Sequence, residues 1–417
     1  MQTAVQQISK ENDHVRSQSD DLNKPQVKLI TGGLIVGVIL LSYLLFTQNI
    51  VQPILLIIGL LLGYTLFHAR FGFTSAFRRF MAVGNGEAIR SHMLMLAVAV
   101  TLFAPILAFG YSFFGSEVSG YVSPIGISLL VGAFVFGIGM QLGGGCASGT
   151  LYAVGSGRTV MFITLIFFII GSTVGAYHLP FWTEELPAFE PISLATSTGL
   201  GYGGAWGLSI IIFGFITWLT FKVEKKKKPP KMATLPKTSG WRRIVRGSWP
   251  LFAAAIALAV LNALTLMTRG SPWGITSAFA LWGSKIAMFF GFDVASWGYW
   301  QGANAAVLQS SIFTDSTTVL NLGVMLGAFL ASAASGLFKF NKINLKNVAA
   351  AIIGGLMMGY GARLAFGCNI GAYFGGIASF SLHGYIWGLL ALAGTFVALY
   401  LRPLFGLSVP KSKDSFC

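Results

Sequence analysis

Two Gly-Cys steps, Gly145-Cys146 and Gly367-Cys368, are the places in this chain where residue type and spacing best support chemistry. They stand 222 positions apart and are flanked alike: VGAFVFGIGMQLGGGCASGTLY, from Val131 to Tyr152, returns as IGGLMMGYGARLAFGCNIGAYF, from Ile353 to Phe374. Gly132, Gly137, Gly139, Leu142, Gly145, Cys146 and Gly149 recur as Gly354, Gly359, Gly361, Leu364, Gly367, Cys368 and Gly371. Such self-similarity marks an internal duplication. A thiol is a weak, polarisable hydrogen-bond donor and, once ionised, a nucleophile. Two of them at equivalent positions predict one shared site. The alternatives are a pair of small buried apolar residues, or a disulfide that would join the two breaks.

The glycines predict how the thiols are held. Three in succession, Gly143 to Gly145, do not suit a helix interior, so the helix breaks there and a new one starts. Its first N–H groups lack partners in a place poor in water, and an anion or polar substrate satisfies them well. The hydroxyls of Thr74, Ser75, Ser148, Thr276 and Ser277 are suited either to cap such short helices or to donate to a substrate oxygen. Four of these lie in a second repeat, GFTSAF at 72–77 and GITSAF at 274–279, identical at five of six positions. That offset is 202 rather than 222, so the later half carries 20 extra residues, placed in DVASWGYWQGANAAVLQSSIFTDS. Arg363, five residues before Cys368, is matched by Gln141 in the first copy. An intramembrane cation is costly and so a candidate for attracting an anion, with snorkelling to the interface as the alternative. Asn369, beside Cys368, completes the candidate set. The glycines Gly132, Gly137, Gly354 and Gly359 serve equally well to let helices approach.

The elements that must carry these residues are apolar helices. The chain has 417 residues, 54% of them hydrophobic and only 10% charged, far more apolar surface than one soluble core hides. Continuous runs without alternation predict helices rather than barrel strands. The expected fold is an all-α integral membrane protein with ten spans in two inverted five-helix repeats and short broken helices at the centre. The first five spans are Leu29–Thr47, Ile50–Phe67, Ser91–Gly110, Gly126–Gly143 and Val160–Tyr177. The second five are Trp206–Phe221, Leu251–Met267, Val319–Leu337, Val348–Leu364 and His383–Leu401. A polar tail at 1–28 precedes a first repeat at 29–205; a second repeat at 206–403 includes a basic loop at 222–246; a tail at 404–417 follows.

Charge sets the orientation. The formal net charge is +15, but the basic residues sit in short loops between apolar runs, which argues for membrane orientation and against a nucleic-acid partner. With a cytoplasmic amino terminus, cytoplasmic segments hold 25 of the 28 Lys and Arg; Arg269 and Lys285 fall outside and Arg363 within a span. Both termini are then cytoplasmic. An odd number of spans per half returns the second copy upside down, an architecture whose sites form where broken helices converge. Of the three cysteines the last, Cys417, lies on the charged tail, and the count excludes a disulfide framework. His68, His92, His178 and His383 form no spaced ligand set, so neither metal nor cofactor is expected.

GARLAFGCNIGAYFGGIASFSLHGYIWGL, GGGCASGTLY and the two hexamers resemble the YeeE/YedE family of bacterial membrane proteins, the thiosulfate-transporter or sulphur-transport family. The resemblance covers about residues 50–406 and is closer to the longer, YedE-like members. It implies an inner-membrane protein that takes up thiosulfate or a related small sulphur-containing anion, with Cys146 and Cys368 contacting the passing ion. Relatives often carry a further cysteine where this chain has Gly72 and Gly274. Family members are often associated with small cytoplasmic sulphur-carrier proteins, which the basic loop could contact. Two other readings stay open: a sulphur-transfer enzyme with a cysteine nucleophile, and a channel for another small solute such as a selenium compound.

Overall fold

The computed structural model describes residues 23–231, 240–412 and 414. Most of the polar amino-terminal tail, the middle of the basic loop and Cys417 lie outside them. The first half runs through α1 (Val27–Thr47), α2 (Val51–Ala69), α3 (Phe73–Val83), α4 (Glu87–Phe109), α5 (Ile127–Leu142), α6 (Ala147–Gly155) and α7 (Thr159–Pro180). The second runs through α8 (Gly201–Lys227), α9 (Gly240–Arg246), α10 (Leu251–Arg269), α11 (Thr276–Phe289), α12 (Ala303–Gln309), α13 (Ser316–Ala334), α14 (Leu345–Leu364), α15 (Asn369–Ala378) and α16 (Leu382–Leu401). Two-residue strands Ile125–Gly126 and Ala188–Phe189 pair antiparallel between loops.

This is an all-α integral membrane protein. Among the described residues nine stretches are long and apolar enough to cross a bilayer, and the pair α14 and α15, bent by 40° at the break, makes a tenth. Each predicted span coincides with one long helix, because twenty apolar residues without water can satisfy their backbone only internally. The short helices α3, α6, α11 and α15 fall at the four predicted interruptions. Large apolar side chains such as Phe46, Phe215, Phe289, Leu389 and Tyr400 are exposed, as lipid-facing residues are. Among the described residues no Asp or Glu lies in the middle of a long helix; Glu87 and Glu224 sit at helix ends.

Small residues set the packing. Gly132 of α5 meets Gly361 of α14, and Gly139 meets Gly354; a Cβ on any of the four would come within 2.9 Å of the partner's carbonyl oxygen. Because the lower number on one helix pairs with the higher on the other, α5 and α14 run antiparallel. Gly137 lies against the Ala391 carbonyl of α16, and its counterpart Gly359 against the Phe168 carbonyl of α7. Close approach is therefore what Gly132, Gly137, Gly354 and Gly359 provide. Contacts also exchange between halves: α2 packs on α13 as α10 packs on α4, and α7 on α14 as α16 on α5. The α2–α13 seam brings backbone against backbone. A Cβ on Gly63 would stand 2.0 Å from Val324 O, and one on Gly327 2.0 Å from Leu60 O.

Candidate substrate path

The two breaks have the same anatomy. After α5 the chain turns at Gly144, φ +83°, and after α14 at the equivalent Phe366, φ +59°. A phenylalanine in the left-handed region costs about 1–3 kcal/mol, and such strain persists only where the surroundings enforce it. Here the Tyr121 hydroxyl donates to the Phe366 carbonyl. Gly367 follows at φ +152°, where a Cβ would stand 2.8 Å from the Ala372 nitrogen, so both its conformation and its space require glycine. The chain then extends through the cysteine, and the next helix starts.

Each cysteine thus becomes the N-cap residue of a short helix, and at the second break its thiol takes part in the cap. Cys368 accepts a hydrogen bond from Ile370 N–H at 3.4 Å. Cys146 Sγ lies 3.4 Å from Ser148 Oγ and beside Thr74, whose buried hydroxyl has no other partner. The two thiols are 1% and 0% exposed, and both are free. The short helices they cap, α6 and α15, touch, and the cysteines are within electrostatic reach of one another. Neither faces lipid, and no disulfide joins them. Among the described residues no group of His, Cys, Asp and Glu is arranged to hold a metal.

Asn369 is the next observation. It is fully buried, and among the described residues neither its amide oxygen nor its amide nitrogen has a hydrogen-bond partner. Leaving such a group unpaired costs about 1–3 kcal/mol, so the geometry suits a polar ligand or water at this point. Beyond the Cys368 break, on the side of Arg269, opens a cavity of about 270 Å³. Arg269, Arg363, Thr276, Ser277, Gly367 and Gly371 line it. Arg363 is 8% exposed, donates to Tyr299 Oη at 2.5 Å and to Thr276 Oγ1 at 3.2 Å, and leaves Nε unpartnered. Arg269 is tied to the carbonyls of Ser271 and Pro272 and to the Thr317 hydroxyl. Among the described residues neither arginine forms an ion pair.

The remaining predicted residues divide. Thr276, Ser277, Arg363 and Gly367 meet at the cavity, and Cys368 and Asn369 lie directly behind it. Thr74, Ser148, Gly145 and Cys146 gather at the other break. Ser75 is spent locally, its hydroxyl bonding Gly72 O at 3.0 Å. Gln141 occupies the position equivalent to Arg363 but works as a brace: its amide donates to Thr74 O at 2.9 Å and Thr395 Oγ1 at 3.3 Å, and accepts from Arg78 at 3.2 Å. Sequence reasoning missed Arg269, Tyr121 and Tyr299. The signal for Tyr299 was present, since it lies in the 20-residue insertion and in the aromatic run Trp297–Trp300.

Comparison with known proteins places this geometry. The family model described as "Sulphur transport" matches residues 68–397, most of the 417. The chain belongs to the sulphur-transport family. It is similar to the thiosulfate transporter TsuA of Escherichia coli, 27% identical over 362 residues that cover 84% of this chain and 94% of that protein. It is similar to TsuA of Spirochaeta thermophila, 28% identical over 365 residues, 83% of this chain and 97% of the relative. The probable transporter YedE of Escherichia coli is 32% identical over 170 residues, 40% of this chain and 42% of its own length. The chain is thus a multi-pass membrane protein of the sulphur-transport family, matched by named transporters over most of its length.

Proposed function

We propose that this chain carries thiosulfate, or a related small sulphur-containing anion, into the cell through a central path lined by Cys146 and Cys368. The observation that carries the reading is the pair of buried free thiols at the caps of two touching half-helices. One break opens on a cavity bearing two arginines without ion-pair partners among the described residues, which draws in an anion. The exposed sulphur of the ion suits S–H donors, and its oxygens suit hydroxyls and helix N-termini. Weak contacts at successive points let it leave again, as conduction requires. The exchange of contacts between the halves, and the antiparallel run of α5 and α14, support an inverted repeat at 29–205 and 206–403. The basic loops support cytoplasmic termini in a bacterial inner membrane. Contact of the loop at 222–246 with a small cytoplasmic sulphur-carrier protein belongs to the same proposal. Against enzymatic sulphur transfer, the hydrogen-bond partners of the two thiols among the described residues are hydroxyls and backbone groups, none of them a general base.

Uptake of labelled thiosulfate by vesicles containing the protein tests this reading. Uptake of the unchanged ion, competed by unlabelled thiosulfate, is expected; vesicles that take up none, beside an active positive control, overturn it. Asn369→Leu provides a second test. Removing an unpaired buried amide is expected to raise or leave unchanged the unfolding temperature in detergent, while uptake falls about tenfold. A variant that unfolds earlier and transports normally would make Asn369 a structural residue.

A further inference from the structure

The inserted loop between α11 and α13 does more than lengthen the second half. It is tied to the body on both sides of Tyr299. Trp300, buried, donates its indole N–H to Ser284 of α11 at 2.8 Å, and Gly298 sits so close to Pro180 at the end of α7 that a Cβ would stand 2.7 Å from the proline ring. Between these two anchors stands Tyr299, half-buried and lining the cavity. Its hydroxyl accepts from Arg363 at 2.5 Å, and the guanidinium carbon lies 5.4 Å from its ring centroid. The stem of Arg363 is clamped from the other side by Gly175 of α7, where a Cβ would come within 2.8 Å of it.

An arginine at the end of a membrane helix ordinarily extends toward the interface, where its charge is solvated. Arg363 does not. It is held over the break by a phenol from the insertion and a hydroxyl from the start of α11, with Nε buried and unpartnered. A phenol that accepts from a guanidinium keeps its own proton free to donate. The Tyr299 hydroxyl and the exposed Ser277 hydroxyl therefore offer donors along one wall of the cavity, beside the Arg363 guanidinium.

We infer that the inserted loop is a selecting strap for the oxygen end of the anion. Tyr299 positions Arg363 and itself donates to a sulfonate oxygen, so that a tetrahedral oxyanion is read here before its sulphur reaches Cys368. This rests on the proposed anion transport for its purpose, but the site can be tested by binding alone. The ligand class is a tetrahedral sulphur oxyanion, and sulfate, which shares the three oxygens but lacks the terminal sulphur, should bind here as well.

The experiment titrates purified full-length protein in detergent with thiosulfate and with sulfate by calorimetry, beside uptake by vesicles. Both anions are expected to bind the wild type. Tyr299→Phe should weaken each about tenfold, Arg363→Lys should retain part of the affinity, and Arg363→Gln should abolish it. Because the phenol acts largely through the arginine, adding Tyr299→Phe to Arg363→Lys should cost much less than tenfold. Each variant is first checked for a single symmetric size-exclusion peak and a wild-type unfolding temperature. Wild-type binding by Tyr299→Phe, the same tenfold loss in both backgrounds, or no binding of either anion to the wild type overturns the strap. A wild type that binds both anions and carries neither leaves the strap standing and defeats the proposed transport.

Discussion

Cys146→Ala and Cys368→Ala are each expected to cut thiosulfate uptake about ten- to hundredfold while leaving the folded protein in the membrane. The magnitude is that of one hydrogen bond to a charged partner, about 1.5–3 kcal/mol. The fold should survive, because alanine fills nearly the same space, and the small-residue surroundings of both thiols leave no large cavity. Among the described residues the polar partners of Cys146 are Ser148, Thr74 and the Gly149 backbone, and those of Cys368 are the Ile370 and Gly371 backbone, so neither variant strands a buried charge. Cys→Ser separates two roles. A hydroxyl donates more strongly than a thiol but holds water better, so serine should restore binding more than it restores flux. Uptake unchanged in both alanine variants would remove the thiols from the mechanism, and Cys417→Ala should leave uptake as it is.

Gly327→Leu is expected to abolish the folded protein, and Gly327→Ala to lower the unfolding temperature in detergent by several degrees. The reason is the α2–α13 seam, where a Cβ on Gly327 meets Leu60 O at 2.0 Å and one on Gly63 meets Val324 O at 2.0 Å. Backbone cannot yield as a side-chain tip can, so the helices must part, and overpacking of this kind costs about 1–3 kcal/mol or more. Separating α2 from α13 also loosens the neighbouring half-helix α6, which packs on α13. Gly32→Ala and Gly214→Ala are the controls. Each is helical, and an added methyl would find nothing within 4 Å, so the unfolding temperature should stay put. Equal stability of Gly327→Ala and Gly32→Ala would show that the seam is not tight.

The residues themselves explain what could be read in advance. Ten continuous apolar runs become ten long helices because lipid offers the backbone no other partner. Gly143 to Gly145 announced a break, since three glycines in succession do not suit a helix interior and Gly144 takes its left-handed turn without steric cost. The second break was legible only through its likeness to the first, because Phe366 takes the same left-handed position without being glycine. The role of Arg363 was not legible. Its alternatives, cavity or interface, differ by where a phenol 64 residues earlier happens to fold, and no local pattern carries that. Gln141 shows the converse: the repeat suggests a path residue, while Arg78, itself outside the repeat's correspondence, draws it into a brace.

Carrying an anion inward has a consequence for energetics. Moving one elementary charge against the membrane potential takes about 2.3 kcal/mol per 100 mV. For an inward-moving dianion at an inside-negative voltage of that size the opposing work is roughly 5 kcal/mol, more than three decades of concentration. The proposed flow is expected to be drawn by intracellular chemistry that keeps the free ion scarce. Collapsing the voltage in energised vesicles should therefore speed net accumulation rather than halt it.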